Sequence, residues 1–436
     1  MYKIRQLNSL KSEIRIPPDK SILHRAIMIS SLCKETTCIT PFFESNDILA
    51  TLRCVEKLGA IIDYSGTKTL RVKGNGLYFP AAGKNKIILN ANESGTTMRI
   101  LTGILCAQKF PVKFTASLSL SKRPMGRVVY PLKHMGANFE NKSKKEVYPP
   151  LLINPTNNLN GQDFNLPIAS AQVKSAIMLA SLYAKGKTTI TEPYPSRDHT
   201  ERMLSLFKAD INVRGRKIIC KPAKKLLSPG ELYVPSDFSS AAFFIILGLI
   251  LPNTKVVIKN VNINPTRSGL LRVLQRMKAD IKVVNKRKDY EMYADLIVKS
   301  SKLKATTVYK KEVPSLIDEI PILCVAAAFA KGETKVIGVN ELKVKETDRL
   351  NSIVHNLGAA GIDIRIKESG RQEKDSSILI KGTEKFKSVH FKSFKDHRTA
   401  MSAIILGTAT GFESTIDDIG CINKSFPQFI SLIESL

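Results

Sequence analysis

The chain has 436 residues, enough for about two domains, and its 43% hydrophobic and 24% charged content is that of a globular protein with a sizeable core. With 67 Lys and Arg against 38 Asp and Glu, the formal charge is +29, which invites an anionic partner. Trp is absent, and the basic runs (Lys142, Lys144, Lys145; Lys221, Lys224, Lys225; Lys286, Arg287, Lys288; Lys310, Lys311) lack interleaved aromatics, so nucleic acid is not expected and most of the charge is assigned to the surface.

In chain order, the N-terminus carries no apolar h-region and little room for a transit peptide. A strand is predicted over 13–16, then a nearly all-apolar helix over 22–33. Further apolar helices are predicted over 97–107, 173–184, 241–251, 320–330 and 400–409. The longest apolar stretch, 241–251, is too short to span a bilayer, so no membrane partner is expected. Strands are expected over 187–192, 211–214 and 334–339, amphipathic helices over 200–207 and 349–357, and a closing helix over 427–436. Helices apolar on every side must be enclosed.

A turn recurs between these parts: Leu58-Gly59-Ala60, Met135-Gly136-Ala137, Phe207-Lys208-Ala209, Met277-Lys278-Ala279 and Leu357-Gly358-Ala359, spaced by 77, 72, 70 and 80 residues. One more period reaches the C-terminus. The spacing predicts six α/β modules, too long for a short-period solenoid and suited to two similar α/β domains of three modules. Turn chemistry at Ser228-Pro229-Gly230 and Pro235-Ser236-Asp237 places the crossing there. The last module lacks closing strands, so residues 1–16 are expected to complete the second domain. The domains are therefore 17–235 and 1–16 plus 236–436.

Seven cysteines (33, 38, 54, 106, 220, 324 and 421) without CxxC, and six scattered histidines, point to reduced thiols in a cytoplasmic protein without disulfides or a metal site.

The chemistry gathers at helix starts. These read Asp19-Lys20-Ser21 with Arg25, Glu93-Ser94-Gly95-Thr96 with Arg99, Ser170-Ala171-Gln172 with Lys174, Ser236-Asp237, Asp318-Glu319 and Asp396-His397-Arg398. The amphipathic helices begin with Lys122-Arg123, Arg197-Asp198-His199, Lys345-Glu346 with Arg349, and Lys424. Helix N-termini present free N–H groups and a partial positive charge. Cations there are locally unfavourable unless an anion sits among them, and arginine's planar fork suits phosphate and carboxylate. Individually, Ser21, Ser170 and Asp318 read more readily as N-caps, the commoner role of such residues. Together they predict an interdomain cleft for small phosphorylated or carboxylated molecules, with Asp318 and Glu346 as candidate proton-transfer groups.

At these residues the chain resembles the 5-enolpyruvylshikimate-3-phosphate (EPSP) synthase family. The matching segments are DKSILHRA (19–26), ESGTTMR (93–99), SKRPMGR (121–127), SAQVKSA (170–176), SRDHTE (196–201), PSLIDEIPIL (314–323), LKVKETDRL (342–350), DHRTAM (396–401) and INKSFP (422–427), in the family's order. The resemblance implies two domains, each of three βαβαββ units, an inside-out α/β barrel. It also implies transfer of the enolpyruvyl group of phosphoenolpyruvate to the 5-hydroxyl of shikimate 3-phosphate, the shikimate-pathway step towards chorismate, by a monomer without metal or organic cofactor. Lys20, Ser21, Arg25, Ser170, Ala171, Gln172, Arg197, Asp318 and Lys345 would then hold shikimate 3-phosphate. Lys20, Gly95, Arg123, Gln172, Arg349, Arg398 and Lys424 would hold phosphoenolpyruvate. Asp318 would take the 5-hydroxyl proton, and Glu346 or Lys20 would deliver one to the methylene carbon. The family's phosphoenolpyruvate subsite is also the glyphosate subsite.

The chain departs from many members at Glu93, where Asn is common; this carboxylate is expected either to repel phosphoenolpyruvate or to pair with a cation such as Lys20. Leu23 and Ala171 replace serines. Two alternatives stand: a UDP-N-acetylglucosamine enolpyruvyl transferase, whose Lys-Asn pair and Cys-bearing loop are absent here, and a non-catalytic basic binding module, which predicts salt-sensitive polynucleotide affinity without turnover.

Overall fold

The computed structural model describes residues 1–64, 68–80, 86–140, 146–368 and 375–436. The basic run Lys142, Lys144, Lys145 lies outside the described residues. The chain divides into two compact domains, the first Pro18–Val234 and the second Met1–Pro17 with Pro235–Leu436.

In the first domain the helices are α1 (Lys20–Ser30), α2 (Asn46–Lys57), α3 (Gly95–Leu105), α4 (Leu118–Ser121), α5 (Gly126–His134), α6 (Ala171–Ser181) and α7 (His199–Leu206). Three four-stranded sheets accompany them. The middle sheet shows the repeated plan. Ile87–Asn90 runs parallel to Val112–Thr115, across α3, and Leu151–Asn154 then joins antiparallel with Asn138–Glu140 on its far side. Asp163–Asn165, Thr188–Thr191, Lys217–Cys220 and Ile211–Arg214 repeat it. In the sheet after α1, the leading strand comes from the end of the domain: Glu231–Tyr233 lies parallel to Thr36–Thr40.

The second domain carries α8 (Phe238–Ile250), α9 (Gly269–Arg276), α10 (Ile320–Ala328), α11 (Arg349–Ala359), α12 (His397–Thr410) and α13 (Phe429–Ser435). Its sheets keep the same order. Here Lys11–Ile14 supplies the leading strand, parallel to Lys255–Asn262. The last sheet is three-stranded and is completed by Tyr2–Lys3 against Thr415–Ile416. Among the described residues the six sheets stay open, and none closes into a barrel.

The core of each domain is a set of three enclosed helices. In the first these are α1, α3 and α6. α3 and α6 approach so closely that a Cβ built on Gly103 would lie 2.1 Å from the carbonyl oxygen of Ala176, so only glycine fits there. In the second, α8, α10 and α12 pack together, and Phe244, Phe426 and Phe429 form an edge-on cluster with centroids 5.6 to 6.2 Å apart. Among the described residues no helix is long and apolar enough to cross a membrane. Of the seven cysteines, all free, only Cys38 is not fully buried.

Most enclosed helices begin two or three residues before the apolar runs predicted from sequence, because a polar cap opens each of them. Asp19 accepts from the N–H groups of Ser21 and Ile22, Ser94 from Thr97, Ser170 from Val173, Asp237 from Ser239, and Asp396 from Arg398 and Thr399. The recurring turn is a left-handed residue: φ is 100° at Gly59, 103° at Gly136, 63° at Lys208 and 66° at Lys278. The fifth occurrence is corrected. Leu357-Gly358-Ala359 lies inside α11, which runs on to Ala359, and the left-handed turn falls at Gly361 with φ 86°.

Candidate functional site

In the first domain, the starts of α1, α3 and α6 carry the predicted residues. Lys20 is the first residue of α1 and its Nζ sits 2.7 Å from Asp47 on α2. Glu93 is exposed and accepts from Ser119 Oγ at 2.8 Å. Lys20, the cation suggested for Glu93, is thus paired with another carboxylate. Arg25, one turn further, is buried. Its Nε donates to Thr200 Oγ1 at 2.7 Å, Nη1 to the Ser21 carbonyl at 2.9 Å and Nη2 to Ser175 Oγ at 2.9 Å. It therefore braces α1 against α6 and α7.

Behind Lys20, His24 Nδ1 is 2.7 Å from Thr51 Oγ1, which is 2.7 Å from Thr97 Oγ1. Nε2 of His24 has no hydrogen-bond partner among the described residues. Burial, then the charges of Lys20 and Arg25, hold this imidazole well below its ordinary pKa.

Gly95 opens α3 without a left-handed φ, so its place is not explained by a turn. A Cβ there would meet Arg99 Nη1 at 2.7 Å and Arg123 Nη1 at 3.1 Å. Gln172 on α6 closes the group: it accepts from Arg99 Nη1 at 3.1 Å and donates to Thr96 Oγ1 at 3.0 Å. Gly95, Arg123 and Gln172 are thus neighbours around two guanidinium groups and two helix starts, which suits an anion. Ser170 caps α6 beside half-buried Ala171. It also lines a cavity of about 560 Å³ with Pro124, Tyr130, Val147, Leu166 and Ile168. Arg197 is half-buried in the loop before α7.

In the second domain the site is built around Asp318, in a 3₁₀ turn leading into α10. Its Oδ1 lies 3.3 Å from Arg349 Nη1 and 3.8 Å from Lys345 Nζ, and its Oδ2 lies 3.7 Å from Arg398 Nη2. Arg398 Nη1 also donates to the Asp318 carbonyl oxygen at 3.1 Å. Arg349 is fully buried and spreads its fork over three carboxylates: Nε to Asp396 at 2.9 Å, Nη2 to Glu346 at 2.5 Å and Nη1 to Asp318. Burial works against its charge, yet Asp396, Glu346 and Asp318 outweigh burial and raise its pKa. Asp318, Lys345, Glu346, Arg349 and Arg398 are thereby brought together, while Lys424 ends a 3₁₀ turn, Gly420–Lys424, packed on α12.

Arg267, and the buried partners of Lys174, Asp237 and Glu319, were missed by the sequence reading. Buried Arg267 donates to Glu319 at 3.0 Å and to Asp237 at 2.9 Å. Burial raises Asp237, but Arg267 and Arg398, with hydrogen bonds from Ser240 and Ser239, hold it below the usual carboxylate range. Lys174 is enclosed between Glu192 at 2.8 Å and Glu201 at 2.6 Å. For Lys174 the available signal was a lysine inside an otherwise apolar stretch, which demands a buried counter-charge.

The profile of the EPSP synthase (3-phosphoshikimate 1-carboxyvinyltransferase) family matches residues 4–433. The 3-phosphoshikimate 1-carboxyvinyltransferase of Thermoanaerobacter sp. (strain X514) is 44% identical over 435 residues, covering 100% of this chain and 99% of the relative. That of Petrotoga mobilis is 43% identical over 430 residues, covering 98% and 97%. Among solved structures, an EPSP synthase from Acinetobacter baumannii superposes with a TM-score of 0.86 at 39% identity, covering 100% of this chain and 97% of that one. The enolpyruvyl transferase NikO from Streptomyces tendae shares the fold, with a TM-score of 0.74 at 15% identity over 100% of this chain and 96% of that one. With relatives matched end to end, and with the quoted motifs clustered at the helix starts of each domain, the chain belongs to the EPSP synthase family.

Proposed function

We propose residue roles for this chain in the family's reaction, in which the enolpyruvyl group of phosphoenolpyruvate passes to the 5-hydroxyl of shikimate 3-phosphate and phosphate leaves. The observation that carries the assignment is the Asp318 carboxylate set among Lys345, Arg349 and Arg398, with Glu346 on the same arginine. Asp318 accepts the proton of the 5-hydroxyl as that oxygen attacks C2 of phosphoenolpyruvate. Glu346 delivers a proton to C3, with Lys20 as the other candidate donor, and a tetrahedral adduct results. Its collapse expels phosphate and returns the methyl proton to the group that supplied it.

The remaining residues hold charge. Two phosphates and two carboxylates bring about −5 to −6 in all. Lys20, Ser21, Arg25, Ser170, Ala171, Gln172, Arg197 and Lys345 take shikimate 3-phosphate. Lys20, Gly95, Arg123, Gln172, Arg349, Arg398 and Lys424 take phosphoenolpyruvate. The protein acts as a cytoplasmic monomer and needs no cofactor. The matching family and the relatives at 43–44% identity are named for shikimate 3-phosphate chemistry, which supports this reading over the UDP-N-acetylglucosamine enolpyruvyl transferase and over a binding module without turnover.

Phosphate release with both substrates tests this reading. Turnover is expected with shikimate 3-phosphate and none with UDP-N-acetylglucosamine. The reverse preference, or tight polynucleotide binding with no turnover, would overturn it.

A further inference from the structure

Lys174 sits one turn into α6, after Ser170, Ala171 and Gln172. It is 1% exposed and its Nζ makes three contacts: Glu192 Oε2 at 2.8 Å, Glu201 Oε1 at 2.6 Å and the carbonyl oxygen of Ser196 at 3.3 Å. An ammonium has three donors, and all three are used. Burial opposes its charge, but Glu201 and Glu192 outweigh it and keep its pKa raised.

Glu192 then reaches the same residue from the other side. Its Oε2 accepts the Ser196 N–H at 3.3 Å, and its Oε1 accepts the Ser196 hydroxyl. The N–H, the carbonyl and the hydroxyl of Ser196 are therefore all fixed by one buried ion pair. The neighbouring loop residue Pro193 is held as well, through its carbonyl, by Arg216 at 2.8 Å. Enclosing one lysine with two carboxylates carries a large desolvation cost. The residue directly after Ser196 is Arg197.

We propose that Glu192 and Lys174 are positioning residues for Arg197: the pair fixes the Ser196 backbone so that Arg197 leaves the loop in one direction, towards the phosphate of shikimate 3-phosphate. Because Lys174 belongs to α6, the same pair also ties Arg197 to the helix start that carries Ser170 and Gln172. Phosphate recognition by the loop and by the helix is then set by one internal charge pair that touches no substrate. The inference rests on the proposed role of Arg197.

The test uses Glu192→Gln, which keeps size and leaves the Lys174–Glu201 contact, so that folding survives even where Lys174→Met does not. Calorimetric binding of shikimate 3-phosphate is measured for the parent, Glu192→Gln, Arg197→Ala and the double variant. Losing a well-placed hydrogen bond to a charged group costs about ten- to a hundredfold in affinity. Glu192→Gln is expected to weaken binding by that factor in the parent and by less than about twofold in the Arg197→Ala background, the sign of a shared pathway. KM for phosphoenolpyruvate at saturating shikimate 3-phosphate should stay put. Equal factors in both backgrounds would overturn the proposal. A second readout does not depend on the substrate: in Glu192→Ala, which removes the acceptor of the Ser196 N–H, amide exchange of Ser196 should quicken at least about tenfold, as expected when a local hydrogen bond is lost. Unchanged exchange overturns the proposal too. A parent that binds no shikimate 3-phosphate would instead defeat the functional reading, and the exchange measurement would still judge the positioning claim.

Discussion

Arg349 contacts Asp318 at 3.3 Å through Nη1 while its Nε stays 2.9 Å from Asp396, the cap of α12. The proposed base is thus oriented by a side chain that is itself anchored in the core, so its chemistry and its placement can be separated by mutation. Asp318→Asn keeps an acceptor oxygen for Arg349 and removes the basic site. We expect a parental melting temperature, near-parental binding of shikimate 3-phosphate, and a turnover lower by ~10²–10⁴, the usual contribution of a positioned general base. A purified variant turning over at the parental rate would mean that the base lies elsewhere.

Arg349→Lys tests the fork. One ammonium cannot face Asp396, Glu346 and Asp318 in the same geometry. Leaving buried Asp396 uncompensated should cost about 3–5 kcal/mol, the range for a broken buried pair. Denaturant titration should show the loss together with a fall in kcat/KM for phosphoenolpyruvate. Parental stability would count against the three-carboxylate role.

His24 should make the first domain acid-sensitive. Its pKa is depressed in the folded state, first by burial and then by Lys20 and Arg25. The unfolded chain binds a proton near pH 6.5 and the folded chain does not. The stabilising contribution is therefore complete above pH 6.5 and is lost as pH falls below it, with a limiting slope of about 1.4 kcal/mol per pH unit for one proton. His24→Gln, which can still bond Thr51, should flatten the stability profile between pH 6.5 and 5. Identical profiles for the two proteins would refute this.

Gly95→Ala concerns inhibition. The added methyl would crowd Arg99 and Arg123 at their guanidinium ends, with no positive-φ penalty. Side-chain ends can shift, so the fold should survive while the anion subsite narrows. Glyphosate, longer than phosphoenolpyruvate, should be hindered more. Its inhibition constant is expected to rise by a larger factor than KM for phosphoenolpyruvate, since selectivity is a difference of two binding energies. Equal factors in a variant of unchanged melting temperature would refute the steric argument.

The sequence disclosed what is local. Caps, all-apolar helices and the left-handed turn have fixed short-range patterns, and so the modules and the motif residues at helix starts could be read directly. Partner choice is tertiary and could not. Nothing near Lys20 singles out Asp47 over Glu93, and Arg267 meets Asp237 and Glu319 across long stretches of chain. The shift from Gly358 to Gly361 has a similar origin: two glycines in one segment both fit the turn, and the extent of α11 decides between them.

The contact of Gly103 with Ala176 has a mechanical consequence. Where Gly103 meets Ala176 the two helices touch backbone to backbone, and that point of contact has no compliant side-chain layer through which to slide. α3 and α6 must therefore translate as one plate, carrying Gly95 and Thr96 at one edge and Ser170 and Gln172 at the other. A displacement imposed on one edge arrives undamped at the other. An alanine at Gly103 would work as a shim: it would wedge the plate open and misalign two anion-binding helix starts at once, without touching either.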